Sequence, residues 1–386
     1  MASPYWYWRQ LKNNWVIDEN TTNRFDLPEQ GHVSGLAVTL LAKNETNLEN
    51  YDDPYFVQRI SKLRIVGNGN YPIMDLHGKF IHAMNFWDRG TMSHDELQLV
   101  DAENQTQYIY IPFGQYMGDP DYGLKLENFS AGVQWEETNN ISTTYLTDAY
   151  NKVSVYALMR KNPEPNLFSK GYLRKREIIK KDANSETAYA VKLPTNNKLR
   201  QIHIFSEPTV TSGSLSTTWY NVVYNIFLSI KSKEEYLLDN FFSKDWARYI
   251  HDYAGREAET TVRFVCDTAG AYYDTMIAER VQTHLTNMNT TAYMPACPTA
   301  TDTTQYARFY PFNHDGNHIG GKWWKVGSKG ICMHGDIPLL TVKPDAPEEE
   351  WLDAGENKDV YVEVTENSSA GNWYIVLDEL EKTYPS

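Results

Sequence analysis

Residues 26–38 read DLPEQGHVSGLAV, and residues 192–204 read KLPTNNKLRQIHI. Each stretch sets a Leu-Pro pair before a polar turn. Apolar residues then follow at matching steps: Val33, Leu36 and Val38 fall six, nine and eleven residues after Leu27, as Leu199, Ile202 and Ile204 do after Leu193. Pro breaks a strand because it cannot donate to a ladder, and alternating apolar residues start one with a single buried face. Both stretches therefore predict a corner followed by a half-buried strand. Their likeness asks whether the chain contains the same unit twice.

The match continues downstream. ISKLRIV (60–66) pairs with NIFLSIK (225–231), setting Leu63 beside Leu228, and IMDL (73–76) pairs with LLDN (237–240), setting Asp75 beside Asp239. SHDELQLV from Ser93 carries a capping-box pattern and predicts a short helix. SKDWARYIHDYAG from Ser243 places Trp246, Tyr249, Ile250 and Tyr253 at helical spacing with Gly255 as a stop. TQYIYIPF (106–113) and TTVRFVCD (260–267) then read as the next strands. The separation between copies falls from 166 positions at the leucines to about 150 at these helices, as expected where loops vary in length. The series points to an internal duplication.

At 386 residues the chain has room for two domains. Its 41% apolar content is ample for burial, and 27 Tyr, 11 Trp and 14 Phe favour strands. Helical segments are too few and short to cover both faces of a parallel sheet, so the expected class is all-β: two tandem eight-stranded jelly rolls with short helices and long loops. Val33, Leu36, Val38, Leu63 and Ile65, with their repeat partners, are the expected inward positions. Segments 114–150 and 286–330 read as long loops.

A net charge of −14 argues against sequence-specific nucleic-acid binding, which needs Lys and Arg facing phosphate. Cys266, Cys297 and Cys332 lack metal-site spacing and read as free thiols of a reducing compartment. The start, MASPYWYWRQLKNNW, lacks the apolar core of a signal peptide, and no run of about 18 apolar residues predicts a membrane span. Residues 160–181 hold eight basic and two acidic residues, and Pro163 and Pro165 mark the end of the first module. The expected partition is an N-terminal arm (1–24), a first jelly roll (25–162), a basic connector (163–186) and a second jelly roll (187–386).

The order FDLPEQGHVSGL (Phe25–Leu36), FVQRI (Phe56–Ile60) and GKFIHAMN (Gly78–Asn85) resembles the first barrel of double jelly-roll major capsid proteins. That family builds tailless icosahedral viruses with an internal membrane in bacteria and archaea, and adenoviruses share the lineage. The resemblance implies a homotrimer whose six barrels fill a hexagonal lattice position. It also implies contacts with neighbouring capsomers and minor or penton proteins, and residence in the virion after synthesis in the host cytoplasm. On a helical reading of the N-terminal arm, Trp8, Leu11 and Trp15 share one face beside Arg9 and Lys12, which suits an internal membrane surface.

Catalytic patterns are weak. No His-x-His pair of a cupin metal site is present. His314 and His318 flank Asp315, but Gly316, Gly320 and Gly321 disfavour the helix that would aim both at a metal, and His334 could join only through the fold. The acidic pairs Glu136–Glu137, Asp119 with Asp121, and Glu348 with Glu350 invite a glycosidase reading. Such catalysis needs two carboxylates facing across a cleft, whereas strand neighbours point to opposite faces. VGNGNYP (66–72) lacks the Lys-Ser/Thr ending of a phosphate loop and reads as a hairpin turn. Trp323–Trp324 could stack on sugar, which leaves a glycan-binding β-sandwich or glycoside hydrolase as the alternative. The expected site set is empty: no catalytic residue, no cofactor, no metal.

Overall fold

Alternation becomes pairing along the whole chain. In the computed structural model the first half supplies β1 (Tyr5–Val16), β2 (Thr22–Asp26), β3 (His32–Lys43), β4 (Ile60–Gly67), β5 (Tyr71–Leu76), β6 (Asn104–Pro112), β7 (Val133–Asn139) and β8 (Lys152–Lys161). The second supplies β9 (Tyr172–Asp182), β10 (Ala188–Lys192), β11 (Lys198–Pro208), β12 (Asn225–Ile230), β13 (Glu235–Phe242), β14 (Asp336–Thr341), β15 (Val360–Thr365) and β16 (Gly371–Glu381). The residues described are 3–45, 50–51, 55–99, 102–140, 146–147, 150–183, 188–194, 196–208, 210–211, 214–215, 219–256, 258–266, 272–274, 284–287, 308–309, 322–331, 333–341, 346–367 and 371–385.

In the first half the sheet β1-β8-β3-β6 packs on β2-β7-β4-β5; in the second, β9-β16-β11-β14 packs on β10-β15-β12-β13. Adding eight to each strand number of the first barrel gives the second. This is the jelly-roll order, twice. The pairing of β5 with β9, which is parallel, fuses one sheet of each barrel into a single sheet crossing both.

The opening motif is the same corner in both barrels. Leu27 N–H donates to Val133 O (2.8 Å) and Leu193 N–H to Val360 O (2.9 Å), each acceptor opening the seventh strand of its barrel. The expected inward residues are buried: Val33, Leu36 and Leu63 are 0% exposed, as are Leu199, Ile202 and Ile204. Each aliphatic side chain so removed from water contributes about 1.5–3 kcal/mol. A bulge is also shared. Leu158 faces Gly35 and Met159 faces Val33, while Asp378 faces Gln201 and Glu379 faces Leu199. Ser34 and Arg200 are thus the extra residues at one common position.

Several expectations change. No helix starts at Ser93; residues 97–99 form a short strand. The paired helices are α1 (Gly78–Arg89) and α2 (Ser243–Ala254), each ended by a left-handed glycine, Gly90 (φ 74°) and Gly255 (φ 63°). Those glycines lie 165 positions apart, so the repeat separation does not drift here. Residues 258–266 are not the counterpart of β6, which is β14. They belong to an insertion between α2 and β14 whose strands, 258–266, 284–287 and 322–330, form a side sheet with residues 97–99. On β4, Ile65 and not Leu63 matches Leu228, since Ile65 faces Trp135 as Leu228 faces Val362. The shift is two residues, so the buried face is kept.

The N-terminal segment is no separate arm. Tyr5–Val16 is strand β1, antiparallel to β8, so Trp8, Leu11 and Trp15 do not share a helical face. The basic connector shortens likewise, because Tyr172–Asp182 is the first strand of the second barrel. Region 114–150 contains β7 and the short strand Leu124–Lys125. Among the described residues no helix is long and apolar enough to cross a membrane.

Candidate functional site: the seam between the barrels

The parallel contact is short: Met74 lies beside Lys175 and Asp75 beside Arg176. Its width comes from α1, which follows β5 immediately. Gly78 opens this helix against neighbouring backbone, since a Cβ there would lie 2.5 Å from Val57 O. From Phe80 to Asp88 every residue of α1 is buried. One side packs on its own barrel; the other lies on the outer face of β9-β16-β11-β14.

That second side is aromatic at one end and charged at the other. Phe80 stacks on Phe205 with ring centroids 4.0 Å apart and meets Tyr374 edge-on at 5.0 Å. Further along, Trp87 Nε1 donates to Asp336 Oδ2 (3.0 Å), and His203 Nδ1 lies 2.8 Å from Asp336 Oδ1. The last turn brings in Asp88, which accepts from Lys175 Nζ (2.5 Å), from Arg200 and from Gln201 Nε2 (3.3 Å). Arg200 Nε also donates to Asp378 Oδ2 (2.7 Å).

The four charged groups cancel, and none is more than 4% exposed. Burial alone would raise the Asp88 carboxyl, but the Arg200 and Lys175 charges outweigh it and hold the pKa below its usual value. Burial would likewise lower Arg200; Asp378 and Asp88 turn that into a raised value. Buried pairs add little net stability over apolar packing, yet losing one partner strands the other charges. The seam therefore fixes how one barrel sits on the other more than it strengthens either. Arg200 reaches it because the shared bulge sits at that residue of β11.

A second polar chain runs beside it. His82 Nε2 lies 2.9 Å from Asp95 Oδ2, and His82 Nδ1 lies 3.1 Å from His334 Nε2. Burial holds His334 well below the ordinary histidine pKa, so it is neutral. His334 thus finds His82, while His314, Asp315 and His318 lie outside the described residues. Among the described residues no group of three or more His, Cys, Asp or Glu side chains could hold a metal ion.

Of the six residues in the acidic pairs, four have structural partners. Glu136 meets Arg24 (2.9 Å) and Arg64 (2.8 Å), while Glu137 is fully buried on the opposite face of β7. Asp119 accepts the backbone N–H groups of Gln115 and Asp121 at 2.8 and 2.9 Å, bracing its loop. The fold brings Asp121 and Glu348 to one cleft, but Asp121 is paired with Lys170 and Glu348 with Lys198 and Lys382. Glu350 ends a short 3-10 turn. Trp323 and Trp324 lie in strand 322–330, and residues 66–72 form the expected β4–β5 hairpin turn.

The seam itself was missed in the sequence. Its only trace is charge where an apolar alternation should run: Arg200 within LRQIHIF and Lys175 within YLRKREII.

No family model matches the chain, and no curated protein matches it. Solved structures do. The STIV MCP aligns at TM-score 0.51 and 8% identity over 97% of this chain and 96% of that one. The atomic structure of Sulfolobus Turreted Icosahedral Virus contains a chain aligning at TM-score 0.51 and 8% identity, over 97% of this chain and 90% of that one. The major capsid protein P2 from Bacteriophage PM2 aligns at TM-score 0.48 and 9% identity over 97% of this chain and 96% of that one. At such identities the likeness shows the fold, and the first two matches carry it: this chain is a double jelly roll.

Proposed function

We propose that the chain is the major structural subunit of a tailless icosahedral virion, assembled as a homotrimer of pseudo-hexagonal outline. The observation that carries this reading is the seam. Two barrels of identical strand order are locked side by side by one continuous sheet and a neutralised charge cluster, so one chain presents two equal wall elements in fixed relation. Three copies supply six, which suits a hexagonal lattice from a three-fold assembly. The STIV MCP has the same fold over nearly the same length. Function here is burial and shape complementarity without turnover, in contact with neighbouring capsomers and the minor proteins that fill five-fold positions. Obligate interfaces of this kind bury on the order of 2,000–5,000 Å².

The test is the state of the purified full chain. Native mass at three times the 44.6 kDa protomer, with six-lobed outlines in negative-stain images, is expected. A chain that stays monomeric at high concentration contradicts the proposal.

A further inference from the structure

The duplication leaves half of such a joint unused on each barrel. Inside the chain, the fifth strand and helix of the first barrel, β5 and α1, meet the first-strand sheet of the second, β9-β16-β11-β14. The corresponding parts left over are β13 and α2 of the second barrel and β1-β8-β3-β6 of the first. Among the described residues β13 pairs only with β12, and β1 only with β8.

The leftover faces carry exposed aromatic rings at positions whose seam counterparts are buried, with Asp245 and Asp252 exposed where the seam has Phe80 and Trp87. The common glycine stops align α1 with α2, so Met84 matches Tyr249 and Asp88 matches Tyr253. Tyr249 is 60% exposed and Tyr253 79%, with rings stacked 6.4 Å apart, while Met84 and Asp88 are buried. Tyr236, at the start of β13, is 61% exposed. On the other face the shared bulge fixes the register: Trp8 lies opposite Leu158 as Lys175 lies opposite Asp378. Trp8 is 53% exposed.

We propose that the β13–α2 aromatic face of one copy receives the β1 edge and its sheet from a second copy, repeating the internal seam between chains, with Tyr253 of one chain meeting Trp8 of the next in place of Asp88 and Lys175. The proposal rests on the reading of the chain as a self-assembling subunit and says which surfaces do it. The joint is head-to-tail, because the two faces differ. Such contacts form rings when the rotation closes and filaments when it does not. Aromatic anchors suit it, since a few Trp and Tyr residues dominate the affinity of protein interfaces.

The experiment compares the full chain with Trp8→Lys, Tyr253→Asp and the double variant, which rebuilds the charge pair of the internal seam. Both positions are exposed in the single chain, so thermal melting of the protomer should be unchanged. Each single variant should raise the concentration at which the trimer dissociates by about 30-fold, and the double variant should recover most of that loss. If the wild-type chain forms trimers and the single variants form them equally well, or the double variant is no better than its weaker parent, the joint lies elsewhere while the shell-subunit reading stands. A wild-type chain that never leaves the monomer overturns both.

Discussion

Helices α1 and α2 occupy the same place in two copies of one barrel, yet they differ in what they present outward. On α1 the outward side is buried and ends in Asp88, bonded to Lys175 and Arg200. On α2 it is exposed, sets Tyr249 among Asp245, Arg248 and Asp252, and ends in Tyr253, 79% exposed. On the proposed assembly, the difference follows from when each face is covered. The α1 face is covered as the chain folds, by a sheet tethered to it, so a network needing several groups in register forms within one molecule. A face covered only by association must first offset lost translational and rotational freedom, and large rigid aromatics do that with few ordered side chains. On that assembly, charge at the internal joint fixes geometry and aromatic area at the open one drives association.

The largest expected effect breaks this comparison if it fails. Asp88→Ala leaves Lys175 and Arg200 buried without their shared acceptor and should lower unfolding free energy by about 3–5 kcal/mol in urea titration. Tyr253→Ala at the matching position should change protomer stability by less than about 0.5 kcal/mol. Equal losses would mean that α2 is already covered in the single chain.

A second contrast lies on the seventh strands. Glu137 and Val364 hold the same inward position, for Glu137 faces Asn23 and Leu63 as Val364 faces Tyr189 and Ile226. Both are fully buried. Burial pushes the Glu137 carboxyl up from 4.5 to about 7. The folded state therefore holds a proton that the unfolded chain has lost, and stability falls as pH rises from about 4.5 to about 7. Glu137→Gln should remove that slope, stabilising the chain by about 1–3 kcal/mol at pH 8 and scarcely at all at pH 4, as thermal melts at both pH values would show. A gain independent of pH would contradict it.

The smallest effect concerns what the copies share. Gly90→Ala and Gly255→Ala each force a side chain into left-handed backbone and should cost about 1 kcal/mol apiece. A Cβ at Gly255 meets nothing within 4 Å, and at Gly90 it meets only Arg256 at ordinary contact distance. Matched losses in chemical denaturation support one frame used twice; a much larger loss at Gly90 would assign that glycine to the seam.

The repeated corner was legible because each barrel needs it: a Leu-Pro turn, then alternation that commits one face to the core. Helix α1 was not legible. Its polar residues His82, Asn85 and Asp88 are buried with partners instead of standing on a solvated face, so they do not read as the outer side of a surface helix. Ser93 was a decoy, since a capping-box pattern needs a helix behind it. Strand β1 was misread because Trp8, Leu11 and Trp15 fit a helical step, whereas register shifts along β1 set Leu11 and Trp15 on the core and leave Trp8 exposed. The charged seam was hidden by distance, with Asp88 and Arg200 separated by 112 positions and matched by no local pattern.

The most direct measurement is an electron-microscopy reconstruction of the assembled chain at a resolution that traces strands. Six barrels should surround one axis, with α2 of each copy lying on β1-β8-β3-β6 of the next as α1 lies on β9-β16-β11-β14 within it. A two-fold dimer joining β13 to its own twin, or barrels meeting through any other walls, would contradict that arrangement.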